Sequence, residues 1–175
     1  MEIRPKIFPS LLTTLLFLSS FVSLSSSSPL IFRPLLIEDT SRTASIQQFL
    51  IPHNIARSEL GLPLLKWSKK LADFASWWAQ QRQGDCALIH SKGNYGQNLF
   101  WGSGKDWKLG DAVAVWAAEK SYYNYNGNSC TQNKDCLHYT QMVWRQSLKV
   151  GRAKVVCSSG DTLITCNYDP QGNVS

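Results

Sequence analysis

Charged residues are scarce in this sequence, and acidic residues are the scarcer kind. Only 17% of the 175 residues are charged, with 18 lysines and arginines against 12 aspartates and glutamates, for a formal net charge of +6. The basic residues are scattered and no nucleic-acid motif accompanies them, so we expect no nucleic-acid partner. With 43% hydrophobic residues, the composition indicates one folded domain with a weakly cationic, solvated surface.

Several catalytic and metal-binding motifs are also missing. The sequence has no H-E-x-x-H, no G-x-S-x-G and no C-x-x-C. These absences argue against a zinc-protease helix, a hydrolase nucleophile elbow and a zinc finger. No internal repeat is present either, so a solenoid or propeller is not expected.

Long apolar runs are confined to the first residues. Arg4 and Lys6 precede an apolar stretch and a run of small residues, which is the order typical of a secretory signal peptide. The stretch is too short for a membrane span, so we expect a secreted, extracellular protein without a transmembrane segment. Three segments are predicted: a signal peptide at 1–28, a mobile leader without clear periodicity at 29–44, and the folded domain at 45–175.

The number of cysteines is odd, and all of them follow the predicted signal peptide. An oxidising compartment favours disulfides, so one thiol should be left over or pair between molecules. The residues are Cys86, Cys130, Cys136, Cys157 and Cys166.

Apolar residues recurring at three- and four-residue steps predict four helices. The first runs from residue 46 to Gly61, with Pro52 kinking it or delaying its start. The second begins at the N-cap Ser68 and ends at Gly84. The third and fourth span 111–123 and 138–144.

Alternating patterns predict three strands among these helices. A strand at 95–101 places Gln97 on one face with Leu99 and Trp101, and residues 150–157 and 162–167 form a β-hairpin. Because strands and helices are mixed without regular alternation, the expected class is α+β or a layered α/β/α arrangement.

Four polar residues are candidates for a shared site: His90, Gln97, Glu119 and His138. Glu119 falls on the packing face of its helix beside Trp116, where a carboxylate needs a cation, donors or a wet cavity unless the helix rolls it into solvent. Two imidazoles and a carboxylate suit zinc or proton transfer, or the histidines are ordinary hydrogen-bonded core residues. His53 fits a structural role.

Two longer strings resemble the signature motifs of the CAP superfamily, which comprises cysteine-rich secretory proteins, antigen 5 and pathogenesis-related protein 1. They are HYTQMVWR at 138–145 and LITCNYDPQGN at 163–173. Further strings resemble the plant pathogenesis-related class 1 branch: His53-Asn54 with Arg57, Asp85-Cys86 with residues 88–91, and YGQNL at 95–99.

The resemblance implies a three-layer α-β-α sandwich held by disulfides, the CAP or SCP domain, with a cleft of two histidines and two acidic residues. His90, Glu119 and His138 match three of those positions, and Gln97 stands where the family has glutamate. One negative charge is therefore absent, so we expect no tightly bound cofactor and at most a weakly held divalent metal such as zinc on His90 and His138.

The cysteine pairing is likewise implied by the resemblance. Cys86 pairs with Cys157 and Cys130 with Cys136, while the partner of Cys166 is replaced by Arg152. Cys166 is then a free thiol, either buried and inert or available for intermolecular pairing.

The resemblance further implies a monomeric, non-enzymatic binding protein of plant defence, located in the apoplast or cell wall. Its relatives are associated with sterols or small lipids, for which the aromatic side chains of Tyr122, Tyr123 and Tyr125 offer flat apolar surface. One alternative is a metal-assisted hydrolase or protease that uses His90, Glu119 and His138. Another is a peptide precursor, which the short tail after Pro170 makes less suitable.

Overall fold

The computed structural model describes residues 33–174. The predicted signal peptide, residues 29–32 and Ser175 lie outside the described residues. The helices are α1 (Arg33–Ser58), α2 (Lys69–Gln81), α3 (Leu109–Ala118) and α4 (Leu137–Met142), with a 3-10 turn (Glu119–Tyr122) after α3. The strands are β1 (Lys66–Trp67), β2 (Gly96–Gly102), β3 (Tyr123–Asn124), β4 (Ser129–Cys130), β5 (Lys149–Val156) and β6 (Thr162–Asp169).

Four strands form a sheet in the order β1-β5-β6-β2, with β1 parallel to β5 and the other neighbours antiparallel. The predicted hairpin is confirmed as β5 and β6. Side chains alternate along β6: Ile164 and Tyr168 belong to the main core, whereas the hydroxyl of Thr165 is directed to α2. Helices cover both faces, so the predicted α-β-α sandwich is confirmed.

One layer consists of α2. Ser68 is the N-cap, as predicted, and its side chain accepts a hydrogen bond from the Leu71 backbone nitrogen (3.3 Å). The helix then packs Ala75 and Ala79 against Ala153 of β5. Contact is so close that a side chain at Gly151 would come within 2.2 Å of the α2 backbone, which is why only glycine fits there.

The opposite layer contains α1, α3 and α4, joined by buried polar residues of α1. The Arg57 side chain is fully buried and donates to the carbonyls of Pro63, Met142, Trp144 and Ser147. His53 Nδ1 donates to the Phe49 carbonyl, so its Nε2 accepts from the Tyr168 hydroxyl. Burial lowers the pKa of His53 to about 4, which keeps the ring neutral. His53 is a core residue.

The first helix begins earlier than predicted. It starts at Arg33 and continues through Pro52, so the leader is helical from Arg33 on and the expected delay at Pro52 is wrong. Residues 39–44 are exposed, which explains why they carry no apolar period. Once the packed turns around Phe49 have formed, each added residue gains a hydrogen bond without needing an apolar face.

Two disulfides join the cysteines in the pairs that the resemblance implies. Cys86 bonds to Cys157, and Cys130 bonds to Cys136. The second bridge joins the end of β4 to the residue before α4. The small β3-β4 hairpin lies within a segment whose sequence indicated only a loop. Other elements differ from the predicted limits by a few residues, and the third predicted helix ends in the 3-10 turn rather than as regular α-helix.

Cys166 is a fully buried free thiol, and intermolecular pairing would require the sheet to open. It lies opposite Arg152 in the β5-β6 register, the position at which the resemblance implies a partner cysteine. The guanidinium of Arg152 donates to the Ser45 carbonyl and lies beside the rings of Phe49 and Trp67. Burial raises the pKa of the Cys166 thiol, which therefore stays protonated and unreactive.

Candidate functional site

The first pair in the candidate site is His90 with Gln97. His90 lies in the loop after α2, and its Nδ1 is 3.1 Å from Gln97 Oε1 on β2. The backbone N–H of Ser91 donates to the same oxygen at 2.8 Å. Because a backbone N–H can only donate, the amide orientation is set, and His90 must donate from Nδ1. Nε2 is therefore the ring nitrogen that this hydrogen bond leaves free.

The amide nitrogen of Gln97, unlike its oxygen, makes no hydrogen bond to a described residue. It is buried and has no acceptor among the side chains that the structure describes, those of residues 39–174. A glutamate in this position would place a second oxygen there instead of a donor. The pair borders a polar cavity of about 270 Å³, whose other side chains include Gln141, Gln171 and Asn173.

Gln141 of α4 attaches the C-terminal segment to this cavity. Its Oε1 accepts from the Gly172 backbone nitrogen (3.0 Å), and its Nε2 donates to the Ser147 hydroxyl (3.2 Å). A side chain at Gly96 would come within 2.0 Å of the same amide oxygen, so β2 needs glycine beside Gln97. The two signature strings therefore meet at the cavity through Gln141.

The second pair is His138 with Glu119. Glu119 Oε1 is 2.6 Å from His138 Nδ1, and Oε2 accepts from the backbone N–H groups of His138 and Tyr139 at 3.0 and 3.2 Å. The carboxylate thus binds the first turn of α4 as well as the imidazole. Only 14% of the Glu119 side chain is exposed, so the helix does not turn it into solvent. The imidazole and the two backbone N–H groups supply the donors that a buried carboxylate needs.

The environment of His138 favours its protonated form. Burial lowers the pKa of the ring, but the hydrogen bond and negative charge of Glu119, with a smaller contribution from Asp135, outweigh burial and raise the pKa above its usual value. The ring also stacks against Trp116 at a centroid distance of 6.2 Å. The pKa of His138 is therefore set by the side chains that the fold places beside its ring.

Asp135 is a site residue that sequence reasoning missed. Ligand atoms of Glu119, Asp135 and His138 lie within 4.8 Å of one another, and His90 does not belong to this group. Hydrogen bonds join the four predicted side chains in two pairs, His90 with Gln97 and Glu119 with His138. The side chain of Asn98, beside Gln97, links the pairs by donating to the His138 carbonyl at 3.0 Å.

A separate apolar groove of about 620 Å³ lies beside α4. Two of the three tyrosines predicted for lipid contact, Tyr123 and Tyr125, are in its wall together with Leu60, Leu62 and Val143. Tyr125 is held there by a hydrogen bond between its hydroxyl and that of Tyr139. Tyr122 is not part of the groove and instead has the Lys134 ammonium over its ring at 5.1 Å.

Comparison with known families identifies the family to which this fold belongs. The model of CAP, the cysteine-rich secretory protein family, matches residues 50–168. The chain belongs to the CAP family. Within residues 33–174, none of the helices has both the length and the apolar character needed to cross a bilayer.

Plant relatives place this CAP chain in the pathogenesis-related protein 1 branch. It is 56% identical over 127 residues to pathogenesis-related protein PR-1 of Medicago truncatula, covering 72% of this chain and 73% of the relative. It is 50% identical over 129 residues to pathogenesis-related protein 1 of Arabidopsis thaliana, covering 74% and 78%.

Solved structures share the CAP fold. Venom allergen-like protein 4 of Schistosoma mansoni aligns with a TM-score of 0.58 at 28% identity, covering 71% of this chain and 86% of the other. NaASP2, crystallised with Zn²⁺, aligns with a TM-score of 0.58 at 22% identity, covering 73% and 80%.

Each of the two histidines has the hydrogen-bonding arrangement of a metal-binding imidazole. Both rings have Nδ1 engaged by an acceptor, while neither Nε2 has a hydrogen-bond partner among the described residues. Metal-binding histidines have this arrangement, in which the second nitrogen is held by a carboxylate or carbonyl group. Only one of the two partners is a carboxylate, so the site supplies less negative charge than a cleft with two.

Proposed function

We propose that this CAP protein is a secreted, non-enzymatic binding protein of plant defence that holds a sterol or similar small lipid in the groove beside α4. The observation that carries this proposal is the apolar groove with Tyr123 and Tyr125 in its wall. Its volume of about 620 Å³ falls within the range of small-molecule sites. The relatives' names, which are those of pathogenesis-related proteins, support the defence role.

The chemistry of the groove suits an amphipathic ring system. Tyrosine rings and leucines offer flat apolar surface, and Asn128, Thr140 and Arg145 supply polar groups. A sterol matches this pattern because it combines a rigid apolar body with one hydroxyl group. In a defence setting, withdrawal of such a lipid from a microbial membrane requires no bond to be made or broken.

Retention of a labelled sterol by the purified protein tests the proposal. We expect wild type to retain the sterol and Tyr123→Ala to bind it about tenfold more weakly, since the substitution removes a ring from the wall. Tyr122→Ala is the matched control, because the neighbouring ring lies outside the groove. Failure of wild type to retain sterol, or equal losses in the two variants, would contradict the proposal.

A metal-assisted hydrolase is the alternative, and the free Nε2 atoms of His90 and His138 favour it. These two nitrogens would hold the metal, which when bound supplies a Lewis acid and a polarised water. Glu119 would hold the His138 ring in place by accepting from Nδ1. Gln97 argues against strong metal binding because it is neutral, and no serine, threonine or cysteine side chain in residues 33–174 hydrogen-bonds either ring. We therefore prefer the binding role.

A further inference from the structure

The outer face of α2 and the loop that follows the helix carry apolar side chains that the described part of the chain leaves uncovered. Trp77 is 51% exposed, Leu88 is 55% exposed and Ile89 is 50% exposed. Large apolar side chains grouped on a surface indicate an interaction site, unlike single exposed ones. We call this surface the α2 patch, and it consists of Phe74, Trp77, Trp78, Leu88, Ile89 and Tyr95.

Internal contacts hold the α2 patch in one arrangement. The ring of Phe74 lies 5.5 Å from that of Trp77 and 5.2 Å from that of Tyr95, measured between centroids. Trp78 Nε1 donates to the Ile89 carbonyl at 2.9 Å and so attaches the loop to the helix. The exposed side chains are therefore presented by a preorganised surface, which lowers the entropic cost of docking.

Two exposed lysines border the α2 patch. Lys70 precedes Phe74 by one helical turn and Lys92 lies in the adjoining loop; both are exposed, and neither has an acidic partner among the side chains of residues 39–174. Arg82 lies over the Trp78 ring at 5.4 Å, although Asp85 pairs with it at 3.4 Å. The nearby Asp73 is paired with Lys69. The two unpaired lysines are among the 18 basic residues that give the whole chain its formal charge of +6.

We propose that the α2 patch docks on the surface of an anionic phospholipid membrane. Trp77, Leu88 and Ile89 insert at the level of the headgroups, while Lys70 and Lys92 contact phosphate groups. Tryptophan and aliphatic side chains bordered by lysine are the combination that interfacial surfaces use. This surface is distinct from the groove proposed for sterol.

A sugar polymer fits the α2 patch less well. The Phe74 and Trp77 rings are tilted by 45° to each other, and Phe74 and Tyr95 by 74°, so the rings cannot lie flat together along one chain. Leu88 and Ile89 have no hydrogen-bonding groups for sugar hydroxyls. An anionic bilayer instead accepts the aliphatic side chains and complements the lysines.

Cosedimentation of the purified protein with sterol-free vesicles tests the proposal. Vesicles of phosphatidylcholine with about one third phosphatidylserine should bind wild type, and vesicles of phosphatidylcholine alone should bind it much more weakly. We expect Trp77→Ala to lower the partition coefficient about tenfold and Lys70→Gln or Lys92→Gln to lower it about fivefold each. Brominated lipids should quench wild-type tryptophan fluorescence in the anionic vesicles.

Trp101→Ala is the matched control, because Trp101 is 45% exposed but lies outside the α2 patch. Its partition coefficient should equal that of wild type, as should that of Tyr123→Ala, which alters only the sterol groove. Equal binding of wild type and Trp77→Ala to anionic vesicles would overturn the proposal. Two other results would also overturn the proposal, provided that Trp77→Ala left vesicle binding unchanged. One is binding of wild type to an insoluble polysaccharide that Trp77→Ala abolishes. The other is a wild-type dimer in sedimentation velocity that Trp77→Ala abolishes.

Discussion

The two histidine pairs of the cleft have the same connection but different partners. In each, imidazole Nδ1 contacts a side-chain oxygen, at 3.1 Å from Gln97 and 2.6 Å from Glu119. Glu119 is charged, little exposed and bonded to two backbone N–H groups, whereas Gln97 is neutral, binds one backbone N–H and leaves a buried donor unsatisfied.

The difference teaches that one cleft can contain an electrostatically strong half and a weak half. At His138 the carboxylate both orients the ring and attracts a proton or metal to it. At His90 the amide also accepts from Nδ1 and orients the ring but supplies no charge. Orientation and charge are therefore separable in this protein, and substitutions of the two partners can test each contribution.

The largest expected effect is on stability, where the two partners should differ most. Glu119→Ala leaves two backbone N–H groups at the start of α4 and one imidazole N–H without an acceptor, so the free energy of unfolding should fall by about 3 kcal/mol. Gln97→Ala leaves one backbone N–H, beside an exposed ring, without its acceptor. The free energy of unfolding should therefore fall by about 1 kcal/mol. Urea unfolding measures both, with Glu119→Gln as the control that keeps an acceptor. Equal losses in the two alanine variants would refute the comparison.

Zinc affinity should show the next largest effect. Gln97→Glu restores a carboxylate beside His90, and a charge about 5 Å from a cation contributes on the order of 1–3 kcal/mol near a protein surface. We therefore expect about tenfold tighter zinc binding than in wild type, measured by calorimetric titration. Gln97→Ala serves as the control and should bind no more tightly than wild type. Equal affinities of wild type and Gln97→Glu would show that the second charge is irrelevant.

The smallest effect concerns pH. Because the folded pKa of His138 is raised, the pair with Glu119 contributes fully below the unfolded value of about 6.5 and loses its contribution as pH rises through the folded pKa. Glu119→Gln should lower the pKa of His138 and flatten this part of the curve of unfolding free energy against pH, measured with a chelator present.

NMR titration of the His138 ring provides the direct measurement. Asp135→Asn should lower the pKa of His138 less than Glu119→Gln does, since Asp135 is exposed and contributes only through its charge. A titration curve that Glu119→Gln leaves unchanged would remove the carboxylate as the cause of the raised pKa.

Local patterns predicted most of the fold. The Ser68 cap, the alternating strand around Gln97 and the β5-β6 hairpin depend on neighbouring residues, so they could be recognised from spacing. The start of α1 could not, because exposed helical residues have no apolar period. The β3-β4 hairpin was missed for a similar reason: strands of two residues are too short to show alternation.

The candidate site was predicted less completely. The matched motifs indicated four residues, but Asp135 was missed because its relevance depends on contacts with Glu119 and His138 made through the fold. The tyrosines were identified as a set, yet their orientation separated Tyr122 from the two in the groove. Spacing cannot distinguish adjacent side chains on a short, irregular segment.

By itself, the sequence determined the helices and strands with strong periodicity, the family through its two signature strings, and the loss of a carboxylate at Gln97. Only the tertiary structure decided that the cleft residues form two pairs, that Glu119 caps α4, and that apolar side chains from α2 and its following loop share one exposed surface. The physical reason is the distance along the chain over which each effect acts. Periodicity and residue type act over a few neighbours, whereas the charge and burial of a side chain depend on residues that the fold brings from far along the chain.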